Sequence, residues 1–153
     1  MKEIERIEDQ LRRAFEGKAW HGPSLQELLG DVTAAMAAAR ALADAHSIWE
    51  IVLHIAAWED AVRRRLEGEP VELSTEEDWP PVKDTSEAAW KDSLEALRNG
   101  HTQLRGTISR LTDSQLEDVV AGKDYPGYFM LHGIIQHDLY HAGQIAILKK
   151  AWS

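Results

Sequence analysis

Apolar residues recur at helical spacing in four segments of the chain, and no segment alternates between apolar and polar residues as a half-buried strand does. In the first segment, residues 2–16, one stripe consists of Ile4, Ile7, Leu11 and Phe15. Gly17 follows at the position where helices commonly end. The pattern predicts an amphipathic helix near the start of the chain.

Three further helices are predicted downstream. One covers residues 47–67 and opens with Ser47 and Glu50, which form a capping-box pattern. Another begins near Ser86 and has a heptad-like apolar seam. That seam consists of Trp90, Leu94, Leu97, His101, Leu104, Ile108 and Leu111. The last covers residues 129–150 and ends on basic residues, as the helix dipole favours.

The connections between these helices are long and indicate short extra helices. Ser24 and Glu27 form another capping-box pair, and an Ala-rich stretch follows them. The stretch GEPVELSTEEDWPPVKDT is an acidic, proline-broken crossover, and TDSQLEDVVAGKDYPGY leads into the last helix through a short helical turn. We therefore predict an all-α fold, a single domain over residues 1–153 that forms a four-helix bundle with long connections. The pattern leaves the helix directions and neighbours open.

Charge and composition narrow the classes of partner. The chain has 17 Lys and Arg against 26 Asp and Glu, a net charge of −9, which disfavours phosphate backbones and anionic membranes. No apolar run approaches the ~20 residues of a membrane span, and the N-terminal segment does not resemble a signal peptide. We expect a cytoplasmic protein that binds neither nucleic acid nor membrane. Because cysteine is absent, the strong metal ligands are limited to His, Asp and Glu.

Three histidines lie on apolar helix faces. The stretch HGIIQHDLYHAGQIAILKK places His137 and His141 four residues apart, with their Cβ atoms roughly 5–6 Å from each other in a helix. His54 lies in the middle of the apolar face of the second predicted helix. If the two helices run parallel and adjacent, the three imidazoles meet at one depth. One divalent ion then satisfies three nitrogens that would otherwise each cost about 1–3 kcal/mol, and open coordination positions are typical of a catalytic site.

The motif HDLYH also resembles the zincin helix H-E-x-x-H, with Asp138 in place of the Glu. Zincins of this pattern take a third ligand from downstream, and no His, Asp or Glu follows His141. The metalloprotease interpretation is therefore disfavoured. A non-enzymatic protein with a structural metal site stays open as the competing class.

The stretches HSIWEIVLHIAAWE and LHGIIQHDLYHAGQI resemble the DinB-like (YfiT-like) superfamily of bacterial four-helix-bundle metalloproteins. The resemblance extends over nearly the whole chain. It implies that His54, His137 and His141 form a facial triad that holds one divalent ion, most often nickel or zinc. Some members are thiol S-transferases that activate a low-molecular-weight thiol such as bacillithiol, a more distant branch includes a mycothiol-dependent isomerase, and many have no assigned activity. The resemblance also suggests a homodimer, as does the number of tryptophans, six.

Other polar residues are candidates for supporting roles. His21 lies in a loop that would cover the open side of the metal, and His101 lies on the apolar seam of the third helix. We predict proton transfer or substrate contact for both; the alternatives are an exposed loop histidine and a core histidine bonded to a backbone carbonyl. Glu50 and Asp138 are candidate partners for the ligand imidazoles, and Gln144 is a candidate hydrogen-bond partner of a bound ligand.

These observations predict a metal-dependent enzyme in which the ion lowers the pKa of a bound thiol or water. The site lacks the paired Glu of a zincin, which favours a thiol-dependent S-transferase acting on small electrophiles. Hydrolysis by a metal hydroxide is the alternative reaction.

Overall fold

The computed structural model describes residues 1–152, and all regular secondary structure in this range is helical. In chain order the elements are α1 (Glu3–Glu16), α2 (Leu25–Leu29), α3 (Ala34–Ala38), α4 (Ile48–Leu66), α5 (Thr75–Asp78), α6 (Glu87–Ser109), a 3₁₀ helix (Asp113–Glu117) and α7 (Gly127–Ala151). The predicted all-α fold is confirmed. No helix in the described range has an apolar stretch long enough to cross a membrane.

The four long helices α1, α4, α6 and α7 correspond to the four predicted helices. Ser47 caps α4 as predicted, since its hydroxyl accepts from the Glu50 N–H at 3.1 Å and Glu50 accepts from the Ser47 N–H at 3.1 Å. The start of α7 lies at Gly127, two residues before the predicted start, because Pro126 has the extended conformation of an N-cap residue. Ser24 caps α2 by accepting from the N–H of Glu27.

The long helices form a closed ring in which α1 and α4 each pack against both α6 and α7. Trp49 near the start of α4 donates a hydrogen bond to Ser93 near the start of α6, so these two helices run parallel. The first part of α4 shares a core cluster with the last part of α7, and Val62, near the end of α4, shares the other with Met130 near the start of α7. Helices α4 and α7 are therefore antiparallel, a direction that the sequence left open.

The core consists of two apolar clusters with polar side chains between them. One cluster includes Phe15, Ile55, Leu97 and Ala142, and the other includes Leu11, Val62, Leu104 and Ile135. On α4, α6 and α7, five buried polar side chains lie near the point in each helix where residues of one cluster are followed by residues of the other. These residues are His54, Glu59, His101, Asp138 and His141; Arg65 and Thr107, nearer the ends of α4 and α6, are buried as well.

The apolar cluster that includes Leu11, Val62, Leu104 and Ile135 should contribute strongly to stability. Within it, Leu104 is 0% exposed. Replacing Leu104 by Ala removes buried methyl groups and leaves a cavity, so we expect the free energy of unfolding to fall by about 2–5 kcal/mol. Urea denaturation followed by circular dichroism measures the change. The same substitution at Leu42, which is 46% exposed, is the control and should change stability by about 0.5 kcal/mol or less. Equal losses for the two variants would contradict the assignment of the core.

Candidate metal centre

The structure brings His54, His137 and His141 together between α4 and α7. One ring nitrogen from each of the three residues lies within 4.8 Å of the others. The Nε2 atoms of His54 and His137 are 3.0 Å apart, and the ring centroids are separated by 4.5 to 4.9 Å. His137 and His141 lie one turn apart on α7, so helix geometry alone directs both toward the neighbouring α4.

The hydrogen bonds of the Nδ1 atoms fix which nitrogen of two imidazoles is free. His54 Nδ1 lies 2.7 Å from the backbone oxygen of Asp78, and His141 Nδ1 lies 2.6 Å from Oε1 of Gln144. A carbonyl oxygen can only accept, so both Nδ1 atoms carry the proton and donate it. The Nε2 atoms of these two imidazoles then present a lone pair, which is the form that binds a metal ion.

His137 is the third histidine of the group. Its Nδ1 atom is buried and has no hydrogen-bond partner within residues 1–152; the Oδ1 atom of Asp138 is 3.7 Å away. Two imidazole lone pairs at 3.0 Å repel each other unless a proton or a cation lies between them. Two nitrogens that bind one ion at ~2.0–2.1 Å and at right angles to each other lie about 3 Å apart. The donor set and its spacing fit a divalent transition-metal ion.

Burial favours the neutral form of two of these imidazoles, His54 and His141. It lowers the pKa of both His54 and His141, because the protonated ring loses the solvation that it has in water. Metal ligation requires the same neutral form. The environment therefore favours the binding state of the two side chains before any ion is present.

The crossover between α4 and α6 forms one wall of the site. Trp79 stacks between two imidazoles, with ring centroids 3.7 Å from His54 and 3.6 Å from His46. Asp78 contributes its backbone oxygen to His54, and its Oδ1 atom accepts a hydrogen bond from Nε1 of Trp58 at 2.7 Å. Sequence reasoning missed both crossover residues. The capping box of Ser74 and Glu77 just before them was the available indication of α5.

Two cavities flank the three histidines. The larger, which we call the His141 cavity, has a volume of about 500 Å³. It is lined by Leu42, Asp44, Ala45, His46, Ile51, Trp79, Tyr140, His141, Gln144, Ile147 and Leu148. The smaller, the His137 cavity, has a volume of about 240 Å³. Trp58, Val62, Arg65, Tyr125, Phe129, Met130, Gly133, Ile134 and His137 line it.

A buried polar cluster lies behind His137. Glu59 and Asp138 are both 0% exposed and close enough to affect each other's pKa, and Oε1 of Glu59 lies 3.3 Å from Nδ1 of His101. Burial raises the pKa of Glu59 to about 7, and burial together with the neighbouring Glu59 raises that of Asp138 well above its usual value. Burial lowers the pKa of His101 to about 4. The cluster is therefore most stable with a neutral imidazole and with a proton on the carboxyl groups.

Two of the remaining predicted residues, His21 and His101, lie away from the two cavities. His21 is exposed in the turn between α1 and α2, and His101 stacks on Phe15 at 3.7 Å in the core. Neither lines the His141 or the His137 cavity. The roles predicted for them in catalysis stay predictions. Glu50 pairs with Arg40 at 2.7 Å and caps α4, while Gln144 bonds the ligand His141 rather than being free for a substrate.

Comparison with known proteins identifies one relationship. A protein-family model described as the DinB superfamily matches residues 19–145, a range that includes all three histidines of the centre. No curated protein and no solved structure gives a significant match.

Each of the three histidines should be required for metal binding. Protein purified without an affinity tag and loaded with zinc or nickel should hold about one equivalent, and replacing His54, His137 or His141 by Ala should reduce this below about a tenth. Elemental analysis after gel filtration measures the content. His132→Ala is the control, since this histidine lies on α7 but outside the group. Unchanged metal content in all three variants would refute the site.

Replacing Glu59 by Gln should make stability less dependent on pH. Burial raises the pKa of Glu59 from 4.5 to about 7, so the stabilisation by the protonated group is complete below 4.5 and is lost as the pH rises through 7. From about pH 5 to about pH 8, the wild type should lose on the order of 1–3 kcal/mol more than Glu59→Gln. Urea denaturation across this range measures the difference. The exposed Glu76→Gln variant should follow the wild type, and parallel pH profiles for Glu59→Gln and wild type would contradict the prediction.

Proposed function

This chain belongs to the DinB superfamily, and we propose that it is a metal-dependent enzyme in which a low-molecular-weight thiol modifies a small electrophile. The observation that supports this proposal most directly is the convergence of three imidazoles between two cavities. A transferase needs room for two reactants at one centre, and each cavity is lined by a different ligand histidine: His141 on one side and His137 on the other.

The ion is proposed to be nickel or zinc, because both accept imidazole nitrogen as a ligand. His54, His137 and His141 would hold it through their Nε2 atoms. When bound, the ion supplies Lewis acidity that lowers the pKa of a thiol or a water molecule beside it.

The protein's own groups orient the ligand set and shield it from solvent. The Asp78 carbonyl and the Gln144 side chain each fix one imidazole through its Nδ1–H, and such partners commonly matter for metal affinity and activity. Trp79 covers one face of the His54 ring. A rigid, partly dry site of this kind strengthens electrostatic effects on a bound thiol.

Asp138 supports a thiol reaction over a zincin-type hydrolysis. It occupies the position that holds the catalytic Glu in the zincin helix, but it is 0% exposed and lines neither cavity. A carboxyl group in this position cannot take a proton from a water molecule in either cavity. The proposed reaction needs no such base on α7.

In the proposed reaction the thiol sulfur forms a bond to an electrophilic carbon, and the leaving group departs with its electron pair. The thiol proton must pass to a base or to water. His21 and His101 line neither cavity, and their proposed part in proton transfer awaits a test.

The predicted homodimer also stays a proposal. Several large apolar side chains are exposed along α7, which supports an additional contact surface there: Phe129, Tyr140 and Ile147. Aromatic side chains are enriched at the centres of protein interfaces.

Transferase activity can be tested with a panel of low-molecular-weight thiols and monochlorobimane, from which the thiol displaces chloride to give a fluorescent product. Metal-loaded wild type should react faster than its His141→Ala variant with at least one thiol. Gln144→Leu, which removes only the acceptor of the His141 Nδ1–H, should lower the rate about 10–100-fold. If every thiol reacts at the rate of the His141→Ala control, the transferase proposal fails, and ester or amide hydrolysis by the same centre is the next activity to assay.

A further inference from the structure

Arg65 is a buried cation without a carboxylate partner. It lies near the end of α4 and is 5% exposed. Its Nε donates to the backbone oxygen of Val71 at 3.0 Å, and its Nη1 donates to the hydroxyl of Tyr125 at 3.3 Å. Both acceptors are neutral. Among residues 1–152, no carboxylate lies within ion-pair distance of its guanidinium, whereas its neighbours Arg63 and Arg64 each pair with an acidic side chain.

A buried charge is costly unless an opposite charge compensates it. The ring of Trp58, 5.4 Å from the guanidinium carbon, supplies a favourable cation–π contact but no negative charge. Glu72, whose pKa Arg65 lowers slightly, is engaged in a salt bridge with Lys123. Within residues 1–152, therefore, no carboxylate pairs with the positive charge of Arg65.

The guanidinium faces a cavity that reaches the metal centre. Trp58, Tyr125 and Arg65 line the His137 cavity together with His137, which has 24% of its side chain exposed. Apart from these groups the walls are apolar. A ligand in this space would be in contact with one cationic side chain, with apolar walls and with one of the three histidines of the candidate metal centre.

The two cavities differ in charge. In the described part of the chain, Asp44 is the only side chain of Asp, Glu, Lys or Arg type that lines the His141 cavity, and Arg65 is the only one that lines the His137 cavity. An anionic ligand is therefore favoured on the His137 side, and a neutral or cationic one on the His141 side. Among anions, a carboxylate suits one guanidinium in an apolar space better than a phosphate, which carries more charge and needs more donors.

We propose that the His137 cavity is a binding site for a small carboxylic acid, whose carboxylate is recognised by Arg65 and whose apolar body lies against Trp58 and Phe129. Carboxylate binding stands independently of catalysis. The assignment of this acid as the thiol co-substrate rests on the proposed function, and the electrophile then occupies the His141 cavity.

The probe for this site is benzoate, with benzamide as a neutral molecule of the same shape and inorganic phosphate as a second anion. Titration calorimetry and tryptophan fluorescence of the metal-loaded protein measure binding, since Trp58 lines the cavity. Benzoate should bind about tenfold or more tightly than benzamide, because a hydrogen bond to a charged group is lost in the amide. Phosphate should bind more weakly than benzoate. Equal affinity for benzoate and benzamide would overturn the proposal, and so would tighter binding of phosphate.

Three variants locate the site. Arg65→Gln should abolish the preference for benzoate over benzamide. Gly133→Leu should weaken both ligands by about tenfold or more, because a side chain at this position projects into the cavity and meets no other atom within 4 Å at its Cβ. Gly143→Leu is the matched control: it lies on the same helix, has the same free space and lines neither cavity. It should bind benzoate like the wild type.

These variants also keep the proposal testable if Arg65→Gln fails to fold, since Gly133→Leu retains the guanidinium and its hydrogen bonds. Unchanged benzoate binding in Gly133→Leu would refute the site. His54→Ala separates carboxylate binding from the metal. If benzoate binds to His54→Ala with the same preference over benzamide, the site stands even where thiol transfer is not detected; if the preference disappears there, benzoate binds to the metal and the role of Arg65 is refuted.

Discussion

The contact between the Nε2 atoms of His54 and His137, 3.0 Å apart inside a helix bundle, is the constraint on which the rest of the site depends. If both Nε2 atoms present a lone pair, they repel each other at this distance, so either a proton on His137 Nε2 or a metal ion must lie between them. A cation between the nitrogens converts the repulsion into binding. The Asp78 carbonyl and the Gln144 side chain support this binding. Each accepts a hydrogen bond from an Nδ1–H, of His54 and His141 respectively, and so leaves the Nε2 lone pair of that imidazole free.

The same constraint explains the position of the polar layer in the core. Apolar residues on both sides of the layer bury α4 and α7 against each other, and the histidines lie next to the junction of these two clusters. Glu59, Asp138 and His101 extend the layer to α6, with a pKa shift for each group that favours its neutral form. Such a layer contributes little to stability by itself, but it specifies how the helices align, because any slip would bury a polar group against an apolar one.

Much of this arrangement could be predicted from residue spacing, and the rest depended on contacts between distant segments. Helical periodicity located the four long helices, and the pair His137 and His141 was visible as an i, i+4 motif on one face. The direction of α7 relative to α4 was not encoded locally, so the sequence left it open. The three histidines still meet, because His137 and His141 lie at the middle of a 25-residue helix, which places them opposite the first half of α4 in either direction.

Two buried charged residues were not singled out in the sequence, for a common physical reason. Glu59 and Arg65 belong to the charged stretch WEDAVRRRL, in which composition predicts a solvated surface. Yet both follow the buried stripe of α4, since Ile55, Glu59 and Val62 are spaced by four and three residues and Arg65 comes three residues later. The helical spacing therefore indicated that Glu59 and Arg65 are buried, whereas the charge of the stretch indicated an exposed surface. Asp78 and Trp79 offered no such pattern, because their place beside His54 depends on how the crossover folds back over α4.

The two cavities beside the candidate metal centre differ in size and in charge. A hydrolase needs one substrate cavity and a water molecule, which requires no discrimination between two sides. Here the sides differ in size, about 500 Å³ against about 240 Å³, and in the sign of their one fixed charge. Two reactants of different charge would each bind preferentially in the cavity of suitable charge, and they would not compete for one binding site. That separation suits a reaction between two different molecules, so the charge of Arg65 is consistent with the proposed transfer chemistry.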